Sequence, residues 1–296
     1  MARGLKEKAK AVLAAERGAI YKARGAAVEV ALAYPNTYHV GMSNLGVHQM
    51  YSVLNQRNDT ACERVFLPDA EDLPAYTRSG TELFSLESQK PVKQFDILAF
   101  SVSFEQDYLN VLEMLALSGI APDKADRTAD DPFLILGGIC TFFNPEPLAD
   151  FFDVVIIGEG EEVAGEFMDV YLANRDKGRP ELLRALCAVP GVYVPEIYEI
   201  EYNSDGTIKE RRPIIPEAPA IIKKRSVKDI DSRPAATAIL TPDTEFSDMH
   251  LAEVTRGCGR HCRFCMAGYI YLPPRNLSTQ EGAAQAKTAD ERCGKI

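Results

Sequence analysis

Apolar positions alternate between two rhythms along the first half of the 296-residue chain. A helix-like stretch from Leu5 to Ala15 leads to AVEVALAY, a β-branched run that ends at Tyr34 against the turn residues Pro35 and Asn36 and reads as a first buried strand. Asn44 to Asn55 has helical character, and ERVFLP around Val65 returns to strand. A third apolar run, DILAFSVS from Asp96 to Ser103, precedes FEQDYLNVLEMLALSG, where Tyr108, Val111, Leu112 and Leu115 fall at i, i+3, i+4 and i+7. That spacing predicts an amphipathic helix stopped by Gly119. FLILGG from Phe133 to Gly138 and DVVIIGEGEE from Asp153 to Glu162 repeat the pattern, the second opening a helix through Tyr171. Near-continuous apolar strands alternating with helices predict an α/β fold, a doubly wound parallel sheet with helices on both faces.

From about Pro180 to His250 the rhythm changes. PGVYVPE is followed by IYEIEYNSDGTIKERRP, whose alternation around NSDG predicts a β-hairpin. Lys223, Lys224 and Arg225 lie in this stretch, and a solvated linker face explains such a run. The expected organisation is an N-terminal helix over 1–24, an α/β domain over 25–178, a connector with its hairpin over 179–247, and a separate segment over 248–296.

A formal charge of −10 makes nucleic acid an unexpected partner, because the chain as a whole repels a phosphate backbone. The opening MARGLKEKAK is too charged for a signal sequence, and no stretch approaches the roughly 20 apolar residues of a membrane span. No membrane partner is therefore expected, and the expected location is cytoplasmic. Seven cysteines in so long a chain do not resemble a disulfide framework. Cys62, Cys140 and Cys187 read as small buried hydrophobes, Cys293 stands apart, and three others cluster.

The cluster lies in HLAEVTRGCGRHCRFCMAGYIYLPPR, where a short apolar strand from His250 runs directly into Cys258, Cys262 and Cys265. Three thiolates within eight residues can ligate three irons of an iron-sulfur cube and leave the fourth open. An open coordination position marks a catalytic rather than a structural metal site. Arg256, Arg260, His261 and Arg263 are expected around the thiolates, where positive charge stabilises an anionic cluster, and Phe264 is placed to shield it from water. Three other readings stand beside this one. A zinc site can recruit His250, His261 or Cys293, although the three-residue gap is unusual for zinc knuckles; a plant-type ferredoxin needs a longer first gap and a fourth cysteine; a redox thiol pair uses Cys262 and Cys265 alone.

CGRHCRFC matches the C-x3-C-x-aromatic-C pattern, and on these residues the chain resembles the radical S-adenosylmethionine (radical SAM) superfamily. CRFCMAGYIYLPPR resembles a subgroup whose loop continues into an AG, aromatic and proline-arginine run. The resemblance implies a [4Fe-4S] cluster on Cys258, Cys262 and Cys265, with S-adenosylmethionine on the unique iron and Phe264, Met266 and Gly268 on its side. It implies reductive cleavage to a 5′-deoxyadenosyl radical, an electron donor of flavodoxin or ferredoxin type, and 248–296 as the first βα unit of a TIM-like partial barrel. It is silent about the substrate. Such a barrel takes on the order of 180 residues by analogy with the full eight-unit form, whereas 31 follow Cys265. The chain is thus expected to be incomplete, its barrel supplied by further sequence or a second polypeptide, and alone to hold a cluster poorly.

Gly158, Glu159, Gly160 and Glu161 resemble the last βα turn of the Rossmann-like, cobalamin-binding domains that precede such barrels, and Gly137 with Gly138 resembles the turn before it. The resemblance implies cobalamin as a candidate ligand at Gly137, Gly138, Gly158, Glu159 and Gly160; tight turns with no ligand explain the same glycines. The D-x-H-x-x-G motif that supplies a cobalt ligand is replaced by Asn36, Thr37, Tyr38, His39, Val40 and Gly41, with His39 one residue out of frame. Methylthiotransferases resemble the same architecture and carry a second cluster, which invites comparison with Cys62, Cys140 and Cys187. The non-enzyme alternative is an α/β binding module with a vestigial or zinc-binding loop. Glu105, Glu159 and Glu253 are candidate acids or bases, unranked.

Overall fold

Two apolar faces per strand require two helical layers, and the computed structural model, which describes residues 2–22 and 25–293, has them. Met1, residues 23–24 and residues 294–296 of the expected outer segments lie outside the described residues. The chain runs from α1 (Ala2–Ala15) into β1 (Val28–Tyr34), then through α2 (Tyr38–Met42) and α3 (Leu45–Gln56) to β2 (Thr60–Phe66). It continues with α4 (Leu73–Ser79), β3 (Ile97–Ser101), α5 (Tyr108–Leu117) and β4 (Phe133–Gly137). Next come α6 (Cys140–Phe143), α7 (Glu146–Ala149), β5 (Val154–Ile156), α8 (Gly160–Asn174), α9 (Arg179–Leu186) and β6 (Val192–Tyr193).

These strands form one sheet in the order β2-β1-β3-β4-β5-β6, parallel except for β6, which pairs antiparallel with β5. The first five follow the 2-1-3-4-5 order, which reverses direction between β1 and β3 and opens a crevice there at the carboxyl ends of the strands. Val28, Val30 and Leu32 of β1 pack against α3, α8 and α9 on one face; Ala31 and Ala33 pack toward α1, α4 and α5 on the other. On α5, Val111 and Leu115 of the predicted stripe are buried, Tyr108 and Leu112 are half-buried, Met114 joins the buried face, and Gly119 follows in a left-handed conformation. The sequence boundary at residue 178 falls inside this unit, since α9 and β6 complete the sheet and its core. β6 is only two residues long and antiparallel, so it carried no strand periodicity of its own.

The predicted hairpin forms as β7 (Tyr198–Tyr202) and β8 (Ile208–Pro213). The connector then returns to the domain instead of lying in solvent. Arg225 forms a parallel bridge with Gly158 and pairs with Glu166 at 2.9 Å, and Val227, Ile230 and Ile239 are buried. The remaining elements are β9 (Thr255–Arg256), α10 (Ala267–Ile270), β10 (Arg275–Asn276) and α11 (Thr279–Cys293). Ser278 caps α11 by accepting from the Glu281 amide at 3.1 Å. Instead of a parallel barrel strand before the cysteines, the structure has a two-residue strand, β9, paired antiparallel with β10.

A buried ion cluster ties the first helix to the sheet. Arg64 on β2, fully buried, donates to both oxygens of Glu16 at 2.7 Å and to Glu87 at 2.6 Å. Removing one partner of such a network leaves buried charge uncompensated. Arg64→Met is therefore expected to lower the unfolding free energy by about 3–5 kcal/mol, read as a shift of the urea midpoint; an unchanged midpoint would contradict this account of the network.

Candidate functional site

The 257–274 loop springs from the stub formed by β9 and β10, in which Arg256 stands directly opposite Arg275. Leu277 N–H donates to the Val254 carbonyl at 2.9 Å and closes the stub one residue further out. Within the loop, the Cys265 amide donates to the Cys262 carbonyl at 3.1 Å, so the second and third cysteines share one turn, which runs into α10. Cys258 and Cys265 are half-buried and Cys262 is exposed. The three sulfur atoms do not all lie within 4.8 Å of one another. Tetrahedral zinc, with Zn–S of about 2.3 Å, would hold them roughly 3.8 Å apart. A cubane spreads its thiolates over three separate irons, and the donor set of three soft sulfurs on an accessible loop fits that group better.

Several expected neighbours of the thiolates are elsewhere. Phe264 is 93% exposed, so it shields nothing in this arrangement, and Met266 is also exposed. Gly268 packs against the His261 backbone and thus supports the loop from within. Arg260, His261 and Arg263 are exposed beside the cysteines. Arg256 is not with them: its side chain is 8% exposed and turned into a carboxylate cluster, because three acids outcompete solvent and thiol as partners. Cys293 donates to the Asp248 carbonyl and His250 lies against Arg292, so neither joins the cysteine trio. Cys62 and Cys187 are buried in the core on one face of the sheet and Cys140 in the core on the other. A second cluster on these three is therefore ruled out by their placement.

The carboxylate cluster joins the loop to the α/β domain. Glu159, in the turn between β5 and α8, accepts from Arg256 Nη1 at 2.9 Å, from Arg275 Nη1 and Nη2 at 2.8 and 2.6 Å, and from the Val227 amide at 2.7 Å. Arg256 also pairs with Glu253 at 2.7 Å and Glu161 at 2.9 Å. Burial works to raise the Glu159 carboxyl, but the Arg275, Val227 and Arg256 donors hold it below its ordinary value. Burial likewise works against the charge of Arg256, and Glu253, Glu161 and Glu159 more than reverse it. Glu159 and Glu253 are thus committed to ion pairs, and Glu105 is an exposed residue at the start of a single helical turn. Lys224 reaches the Ile270 carbonyl and lies over the rings of Phe142 and Tyr271 at 5.7 and 6.0 Å, which pins the far end of α10. The run Lys224-Arg225 is accordingly a docking element and not a solvated face.

A cavity of about 650 Å³ opens next to this cluster. Its depth is apolar, between the sheet residues Val30, Ile97 and Ile135 and the α8 residues Val163 and Phe167. Asn44, Gln49, Ser101 and Ser103 give it neutral polar groups. Its rim includes Glu159, Glu161, Arg256 and Gly257, so the wall of the cavity is also the base of the cysteine loop. Gly137, Gly138, Gly158 and Gly160 are among its lining residues. Two of them have an internal reason to be glycine. A Cβ on Gly138, at φ +99°, would sit 2.3 Å from the Val102 carbonyl oxygen, and one on Gly158, at φ +125°, 2.3 Å from that of Arg225. Among the described residues no histidine lines the cavity: Tyr38 is bonded to Glu16, and His39 faces Asp243.

Sequence reasoning singled out Glu159 but gave it a ligand turn, and missed Arg275 and Glu161 as partners. The PPR triplet and the paired acids of GEGE carried that signal, which only a contact between distant segments makes readable.

A family model described as "Radical SAM proteins, N-terminal" matches residues 46–195. The chain belongs to that family. It is also 28% identical over 251 residues to an uncharacterised protein, MJ0966, of Methanocaldococcus jannaschii, an alignment covering 83% of this chain and 42% of that protein. The chain thus spans less than half the length of the relative it matches. No solved structure matches it.

Burial separates two classes of thiol. It pushes the Cys140 thiol up to about 11 and raises Cys62 and Cys187 as well. In the metal-free folded protein, iodoacetamide is expected to label Cys258, Cys262 and Cys265 and to spare Cys62, Cys140 and Cys187 until denaturant is added. Mass spectrometry of the peptides reads this directly, and early labelling of Cys187 would contradict the buried assignment.

Proposed function

We propose that the chain is the front part of a radical SAM enzyme whose cysteine loop binds a [4Fe-4S] cluster and S-adenosylmethionine. The observation that carries this reading is the accessible Cys258, Cys262 and Cys265 loop in a chain of the radical SAM N-terminal family. When bound, the cluster and S-adenosylmethionine together supply a one-electron reductive cleavage that yields a 5′-deoxyadenosyl radical, with the electron from a flavodoxin- or ferredoxin-type donor. The residues of this chain hold that chemistry in place. The three thiolates provide the ligands, the exposed Arg260 and Arg263 offset the cluster's negative charge, and the stub fixes both ends of the loop.

The cavity supports a second ligand beside the loop, of a restricted kind. Glu159 and Glu161 stand at the amino-terminal end of α8 and, with the arginines paired to them, occupy the place where a phosphate would otherwise be favoured. The apolar depth and neutral polar groups favour an uncharged ring-bearing body. Cobalamin, the ligand implied by the resemblance, offers such a body in its corrin ring, with its phosphodiester tail kept away from α8, and binds without a histidine on cobalt, since among the described residues no histidine lines the cavity.

Anaerobic reconstitution with iron and sulfide is expected to give [4Fe-4S] absorption and a reduced-state EPR signal in a fraction of the chains, because this chain alone holds the cluster poorly, and S-adenosylmethionine is expected to shift that signal. Cys262→Ala should abolish the signal, and colourless protein carrying one zinc would overturn the reading. Hydroxocobalamin is expected to stay with the protein through desalting and, once reduced to Co(II), to show EPR without nitrogen coupling from a histidine. Complete loss of colour on desalting would remove cobalamin as the second ligand.

A further inference from the structure

Arginines directly opposite each other on antiparallel strands repel, and a two-residue strand pair has little else to offset that repulsion. Arg256 and Arg275 are such a pair, and between them they frame the loop that carries all three clustered cysteines. The compensating charge comes from outside the stub. One carboxylate of the α/β domain, on Glu159, takes hydrogen bonds from both guanidinium groups and is 3% exposed. Its backbone is held in turn by the Arg225 carbonyl, which accepts from the Glu159 amide at 3.1 Å. Glu253 also neutralises Arg256, but lies only three residues away on the same segment and contributes nothing to Arg275.

We infer that Glu159 is a positioning residue for the cysteine loop: it closes the β9–β10 stub and thereby fixes the cysteines relative to the cavity of the α/β domain. The inference rests on the proposed function for its consequence at the cluster, and on the ion network alone for its effect on the loop. Two features argue for positioning over mere stability. A buried ion pair is a poor source of net stability, since apolar replacements of similar volume are often as good, whereas its geometry is strongly directional. Glu159 also receives both nitrogens of the Arg275 fork, which fixes the plane of that side chain as well as its distance. Because Glu159, Glu161 and Arg256 line the cavity, a ligand bound there touches the same groups that set the loop.

The test is amide hydrogen exchange of the full chain without cluster, followed by EPR of the reconstituted protein, for the wild type, Glu159→Gln, Arg275→Gln and the double variant. Glu159→Gln is expected to raise exchange at least tenfold across residues 255–277 while β1 to β4 keep their protection, and to broaden or shift the reduced-cluster EPR signal at unchanged iron content. The double variant should exchange less than the product of the two single effects, since it leaves no unpaired buried charge. Unchanged exchange in the loop, multiplicative single effects, or a uniform rise that includes β1 to β4 would each overturn the inference. Should Glu159→Gln fail to fold, Arg275→Lys carries the same test, because it keeps the charge and removes the fork. If the wild type takes up no cluster, the proposed function fails, while the exchange data still decide the role of Glu159.

Discussion

Everything at the cysteine end of the molecule depends on one carboxylate placed between two opposed arginines. The stub that carries the loop is two residues wide and has its like charges in register, so by itself it is a weak element. Glu159 turns that weakness into a dependence on the α/β domain. The loop is therefore held by charge and direction, and the surrounding apolar contacts, such as Tyr271 against Phe142, play a supporting part.

This arrangement couples a doubly wound sheet to the cysteine loop. The carboxyl ends of β4 and β5 feed the glycine turns that line the cavity, and the second of those turns ends in Glu159. The same turn thus faces a cavity on one side and the root of the cysteine loop on the other. Acidic residues at the start of α8 are spent on arginines, and this takes away the anion site that a helix terminus ordinarily offers. The fold's usual place for a phosphate has become a place for a guanidinium.

The sheet was legible in the sequence because its strands are buried on both faces and read as continuous apolar runs, from AVEVALAY to DVVII. β6 was not, because two residues carry no period and an antiparallel edge needs no apolar run. The cysteine spacing was visible in the sequence; the surroundings of the cysteines were not. Arg256 looked like a partner for thiolates because it stands two residues from Cys258, yet its side chain answers to acids nearly a hundred positions upstream. Phe264 looked like a shield on the same grounds of adjacency and points to solvent. Proximity along the chain predicted the neighbours of the cysteines badly, since these are fixed by tertiary contacts between Glu159, Val227 and Arg275.

The central claim is that three cysteines of this loop carry a cubane with one iron left without a protein ligand. Mössbauer spectroscopy of protein reconstituted with iron-57 tests it most directly, with spectra taken before and after S-adenosylmethionine is added. The account predicts that one iron of the four separates from the other three when S-adenosylmethionine binds. Four irons that remain alike in its presence, or iron that never assembles beyond mononuclear sites, would contradict it.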